Sequence, residues 1–152
     1  MSITDWSMDV VPRSEGDVKY FSLEQADRSL VLLRRIVEEI VEEYGVLLEM
    51  EEMIESAEQG GHHGQLETAR KRLVDTVDNL QNCLEELDQM GVELRDFSRG
   101  IVDFPYMHEH RTISLCWLLG EQHVSHWHER EAGFACRQPI SLLTNKGVLV
   151  ST

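Results

Sequence analysis

The chain has 152 residues, of which 41% are hydrophobic and 28% charged, and its formal net charge is -14. This suits one domain with a modest core and excludes disorder of the whole. A field of that sign argues against nucleic-acid phosphates and anionic membrane surfaces as partners.

Three cysteines (Cys83, Cys116 and Cys136), with no CxxC spacing, fit small apolar fillers in a reducing cytoplasm. No apolar run approaches the ~20 residues that span a bilayer. The N-terminus lacks a basic start followed by an apolar block, so no secretion signal is expected.

Residues 1–20 have no period and read as an arm, with Trp6 a candidate to dock elsewhere. Ser22 is the natural N-cap of a first helix, and Gln25 completes a capping box. Phe21 would staple onto Ala26 or a neighbour. From there Ala26, Leu30, Leu33, Val37, Ile40, Tyr44 and Leu47, then Ile54 after a skipped slot at Glu51, form a heptad seam on a helix of about 36 residues, about 54 Å long at ~1.5 Å per residue.

A second segment repeats the rhythm with Leu66, Leu73, Val77, Leu80, Leu84 and Leu87. Between them Gln59-Gly60-Gly61-His62-His63-Gly64 breaks the helix and supplies positive φ for a reversal. The short link makes the helices antiparallel, with facing residue numbers summing to about 120, so that Leu47 meets Leu73. Val31, Ile36, Val41, Leu48, Val74 and Cys83 widen the stripe beyond the seam and call for a cover, either the β region or a second copy of the chain.

Past Met90 the period changes. Gly91 to Leu94 ends the helix and 95–100 reads as a loop. Ile101 to Phe104 is a short strand closed by Pro105. Thr112 to Leu119 alternates as a strand, Gly120-Glu121 forms a turn, and Gln122 to His128 returns. That register sets Trp117 opposite Val124, Leu115 opposite His126 and Ile113 opposite His128. After Glu129 no period is clear, and Leu142, Leu143, Val148, Leu149 and Val150 could add a last strand after a turn at Asn145-Lys146-Gly147.

The predicted fold is α+β, mainly α. It is a long antiparallel, coiled-coil-like helical hairpin with a small antiparallel β-meander near its open end. The divisions are an arm (1–20), one domain (21–140; hairpin 23–90, β region 100–128, loop 129–140) and a tail (141–152).

The phrases Phe21 to Ala26, Val92 to Asp96, Gly100 to Pro105, Leu115 to Glu121, Trp127-His128 and Ala132 to Ile140 resemble the bacterial family known as domain of unknown function 2203. The resemblance spans roughly 21–140. It implies a short protein with a long helical pair before the Trp-His block, and it brings no assigned activity.

Five of seven histidines fall between His108 and His128, with Asp103, Glu109, Glu121 and Glu129 nearby. Imidazole with carboxylate is a ligand set for a zinc-like divalent metal, and His126, His128 and Glu121 are its candidate ligands. Without a metal, His126 packs over Leu115 and the other histidines are loop residues.

His128, Glu121, Asp103 and Arg137 form a candidate catalytic set. A His–carboxylate pair moves protons, and an arginine clamps an anion. The same residues also read as structural ion pairs. Whether Asp103 meets His128 depends on register, since one residue of slip reverses a strand's faces. In the register above Cys116 and His128 point apart, which argues against a Cys–His nucleophile.

Two function classes follow. One is an interaction module, homo-oligomeric or holding a protein partner through the hairpin. The other is a small metal- or ligand-binding enzyme with a pocket between sheet and hairpin around His128, Glu121 and Arg137. The surplus apolar stripe favours the first. Nothing in the sequence names a reaction.

Overall fold

The structure is a computed structural model that describes residues 18–144. Helix α1 spans Leu23–Gly60, 38 residues, and α2 spans His63–Met90, 28 residues. The two pack along each other. The capping box forms as the sequence suggests: Gln25 N–H donates to Ser22 Oγ at 3.0 Å, and Ser22 N–H to Gln25 Oε1 at 2.9 Å. Phe21 and Ala26 share the buried core, and Phe21 also reaches past the helix start. Its ring meets Phe104 edge-on at 5.1 Å and its N–H donates to the Pro105 carbonyl, so it ties the helix start to the sheet.

The reversal is tighter than the glycine content implies. Gly60 still closes α1, while His63 and Gly64 already begin α2. Only Gly61 takes the left-handed conformation, with φ 74°. Helix ends tolerate glycine better than a helix middle does, because the last turns have few ladder bonds to lose.

Asn79 donates to Glu43 at 3.2 Å and Cys83 lies beside Glu39; both pairs are centred in number on Gly61. The buried line of α2 is Ala69, Thr76, Leu80, Cys83 and Leu87, with Leu73 half-buried among them. Val77 and Leu84, expected in the seam, flank it, and Cys83 lies within it. Burial and the adjoining Glu39 push the Cys83 thiol up to about 12, so it stays neutral filler.

Gly91, at φ 85°, ends α2, and a five-stranded antiparallel sheet follows in the order β1 (Glu93–Asp96), β2 (Ile101–His108), β3 (Arg111–Leu118), β4 (His126–Glu129), β5 (Gln138–Pro139). The sheet is therefore wider than the 100–128 region expected. Residues 93–96 form a strand, where 91–94 reads as a helix end and 95–100 as a loop, and β2 runs on through Pro105. β1 pairs with β2 only as far as Asp103, so nothing there requires a donor from the proline, whose carbonyl instead receives Phe21 N–H.

Val102, Phe104, Leu115, Trp117 and Trp127 join Leu30, Leu33, Val37, Leu80 and Leu87 in the core. A short helix, α3 (Ile140–Thr144), buries Leu143 in the core, and the strand expected after the 145–147 turn lies outside the described residues. Trp6 and residues 145–152 lie outside the described residues.

The return strand departs from the expected register by one residue. Ile113 pairs with Glu129, Ser114 with His128, Leu115 with Trp127 and Cys116 with His126. Residues 119–125 leave the ladder because their polar groups are bound elsewhere. The Trp117 indole donates to the Glu121 carbonyl at 2.9 Å, Arg34 of α1 donates to the Gln122 carbonyl at 2.6 Å, and Asp27 accepts Val124 N–H at 2.9 Å. No helix of the described residues is long and apolar enough to cross a membrane.

Candidate functional site: a buried Asp–Cys–His cluster

The one-residue shift decides the site. It turns Trp127 into the core and His128 onto the opposite face, where β2 presents Asp103 and β3 presents Ser114 and Cys116. All four are buried, at 0–1% exposure. Asp103 and His128 sit on strands two apart, a span of about 9.6 Å at ~4.8 Å per strand. They meet because the strand between them carries only the small Ser114 and Cys116 on that face.

His128 Nε2 lies 3.1 Å from Asp103 Oδ1 and 3.0 Å from Oδ2. Its Nδ1 faces the Glu129 carbonyl at 2.7 Å, an acceptor only, so Nδ1 carries a proton. Burial opposes a charge on the ring. The hydrogen bonds to Asp103 and Cys116, the Asp103 charge and the Glu129 carbonyl outweigh it and push His128 up to about 10.

Around this pair runs a ladder of alternating charge. Arg95 Nε donates to Asp103 Oδ2 at 2.8 Å and Arg95 Nη2 to Glu93 at 3.1 Å. Arg130 grips Glu93 with two bonds, of 2.6 and 3.0 Å, and donates to Ser114 Oγ at 3.3 Å. The bidentate geometry holds Arg130 firmly charged, with Glu93 the main cause.

Glu121 and Arg137 form a second set. Glu121 Oε1 accepts Leu118 N–H at 3.0 Å, and Arg137 binds both carboxylate oxygens. Burial raises the Glu121 carboxyl, but the Arg137 and Leu118 bonds prevail and hold it below its ordinary value. Arg137 stacks on Phe134 at 4.6 Å, and its Nη1 reaches within 3.9 Å of Cys116 Sγ. Cys116 thus joins the two sets.

Of the residues singled out in the sequence, Asp103 and His128 are paired, and Glu121 and Arg137 are paired. His126 turns its Nδ1 to Ser125 Oγ at 2.9 Å. The proposed location between sheet and hairpin does not hold, since the register shift moves His128 to the face away from α1 and α2. A depression of about 390 Å³ at the hairpin's open end is lined by Lys19, Phe21, Gln25, Arg28, Ser29 and Met90, none of them in the cluster.

His108 ends β2 opposite Arg111, and Glu109 and His110 form the β2–β3 turn, with φ of 49° and 68°. Sequence reasoning missed Glu93, Arg95 and Arg130. The Glu-Leu-Arg-Asp alternation of β1 was the available signal for the first two.

The family assignment rests on coverage of all these elements. The sequence model of an uncharacterized conserved protein family, DUF2203, matches residues 19–140. The chain belongs to DUF2203. The matched span takes in both long helices and all five strands, so the hairpin and the buried cluster are parts of the DUF2203 unit alike. No curated protein matches the chain, and no solved structure matches it.

Proposed function

We propose that the protein is an interaction module whose hairpin receives a basic amphipathic segment of a partner protein. The observation that carries this reading is an apolar strip left open beside a wall of glutamates. Val41 packs against Gly100 of the sheet connection. Leu48, one heptad further along the same line of α1, is exposed, and Val74 of α2 is 60% exposed.

Val31 is also open, at 75%. From 36 to 58, α1 carries nine glutamates and no lysine or arginine. The α1 glutamates beside the exposed Leu48 complement a helix with leucines between lysines, while on α2 Arg70, Lys71 and Arg72 precede Val74. Two copies would each bring a charge of -14 to the contact, which favours a basic partner over a second copy. A reducing, cytoplasmic setting fits the three free thiols.

A synthetic Leu/Lys amphipathic peptide and its Leu/Glu counterpart test this, with induced helicity and fluorescence anisotropy as readouts. The Leu/Lys peptide is expected to bind and become helical. Val74→Asp should weaken it roughly tenfold, about 1.4 kcal/mol, although the variant is more acidic. Equal or tighter binding by Val74→Asp would mean plain charge attraction and would overturn the proposal. A stable dimer by light scattering at micromolar concentration would give the strip to a second copy instead.

A second reading, a small metal- or ligand-binding protein, has one observation in its favour: Asp103, Cys116 and His128 converge beside the Glu121–Arg137 pair.

A further inference from the structure

We infer that Asp103, Cys116 and His128 form a binding site for a single divalent transition metal of the zinc type. This deepens the second reading above and is independent of the hairpin's partner. The three side chains offer one carboxylate oxygen, one thiol sulfur and one imidazole nitrogen, and these atoms all lie within 4.8 Å of one another. A tetrahedral centre with bonds of about 2.0–2.3 Å places its ligand atoms about 3.3–3.8 Å apart, so modest rotamer movement brings the three onto one ion. A mixed S, N, O set suits zinc, and unlike clusters of surface carboxylates, all three residues are buried.

The surroundings match what a metal ligand needs from its neighbours. His128 Nδ1 is fixed on the Glu129 carbonyl, which orients the ring and leaves Nε2 as the inward-facing nitrogen. Asp103 Oδ2 is held by Arg95, which leaves Oδ1 for the ion. The thiolate and the carboxylate together balance two positive charges. Glu93 and Glu121 answer Arg130 and Arg137, while Arg95 is shared between Glu93 and Asp103, so one of the three guanidinium charges is balanced only through the Asp103 carboxylate. Three protein ligands leave a fourth position for water or a small ligand, the arrangement of open rather than purely structural zinc sites.

Cobalt titration of the chelator-treated, full-length protein tests this, because a thiolate–cobalt bond gives a near-ultraviolet charge-transfer band. One equivalent of Co²⁺ should raise the band, and Zn²⁺ should then displace it. The double variant Cys83→Ala, Cys136→Ser, which leaves Cys116 as the only thiol, should keep the band in full. Asp103→Asn and Cys116→Ser should lose one-to-one binding while retaining helical circular dichroism.

If those buried variants fail to fold, the double variant still decides. A band that vanishes in it places the metal on Cys83 or Cys136 and overturns the proposal, as does no band in the unaltered chain. Binding without the sulfur band would place the ion on surface imidazoles such as His62 and His63, and would also overturn it.

Discussion

At Glu121 one residue holds a turn by three bonds of different kinds: the carboxylate takes Leu118 N–H and the Arg137 guanidinium, and its carbonyl takes the Trp117 indole N–H. Its carboxyl is held below the ordinary 4.5, so its contribution is present above that pH and is lost as acid titrates it through the lower folded value. Glu121→Gln should therefore cost about 1–2 kcal/mol near neutrality, and the gap to the unaltered chain should close below pH 4.5 in urea unfolding. A gap independent of pH would show that the charge contributes nothing.

The pairing of Glu121 with Arg137 was open to sequence reading only as two residues inside matched phrases. That of Asp103 with His128 turns on the register of the return strand, which one residue of slip reverses. Cys116 was discounted because the assumed register pointed it away from His128. Its role as a bridge comes from Arg137, whose reach of 21 residues along the chain no local pattern encodes.

Elements differ in how plainly their residues announce them. Each turn of α1 repeats the same physical demand, a buried side chain every three or four residues, so length, cap and direction were legible. The return strand was not, because 119–125 look like strand but spend their polar groups on Trp117, Arg34 and Asp27. The ladder resumes at His126, one residue out of step.

The sheet–hairpin junction adds a close approach at Gly100, whose φ is 78°. A Cβ there would meet Val37 Cγ1 at 2.8 Å, Leu119 Cβ at 3.0 Å and Val41 Cγ2 at 3.1 Å. Gly100→Ala should cost about 2–4 kcal/mol, combining backbone strain with overpacking. Gly120 has φ 106° and open space around its missing Cβ, so Gly120→Ala should carry only the strain, about 1–2 kcal/mol. Urea midpoints of the two variants, compared side by side, read the difference. Equal losses would mean that the α1 contact is soft.

Over the whole molecule, the hairpin has two unequal ends. At the open end α1 is packed against α2, the sheet and the 119–125 segment together, through Leu30, Leu33, Val37 and the Tyr44–Phe97 ring contact at 5.2 Å. Toward the tip the buried residues are Ala57 and Ala69, with Ile54 and Leu66 only half-buried. Apolar burial contributes roughly 25 cal/mol per Å², and alanines supply little of it. In the seam between, Thr76 buries a hydroxyl that has no partner among the described residues, which weakens that level further.

The tip should therefore open without unfolding the base. Native-state amide exchange, corrected for intrinsic rates, should show 50–70 exchanging through a local opening at lower free energy. Residues 28–42 and 80–88 should exchange only with the sheet and global unfolding. The open strip at Leu48 and Val74 lies at the border of these two zones. A bound amphipathic helix should slow exchange at the tip far more than at the base, because only the tip has stability left to gain. Uniform protection along both helices in the free protein would refute the division and with it the reason the strip stays uncovered.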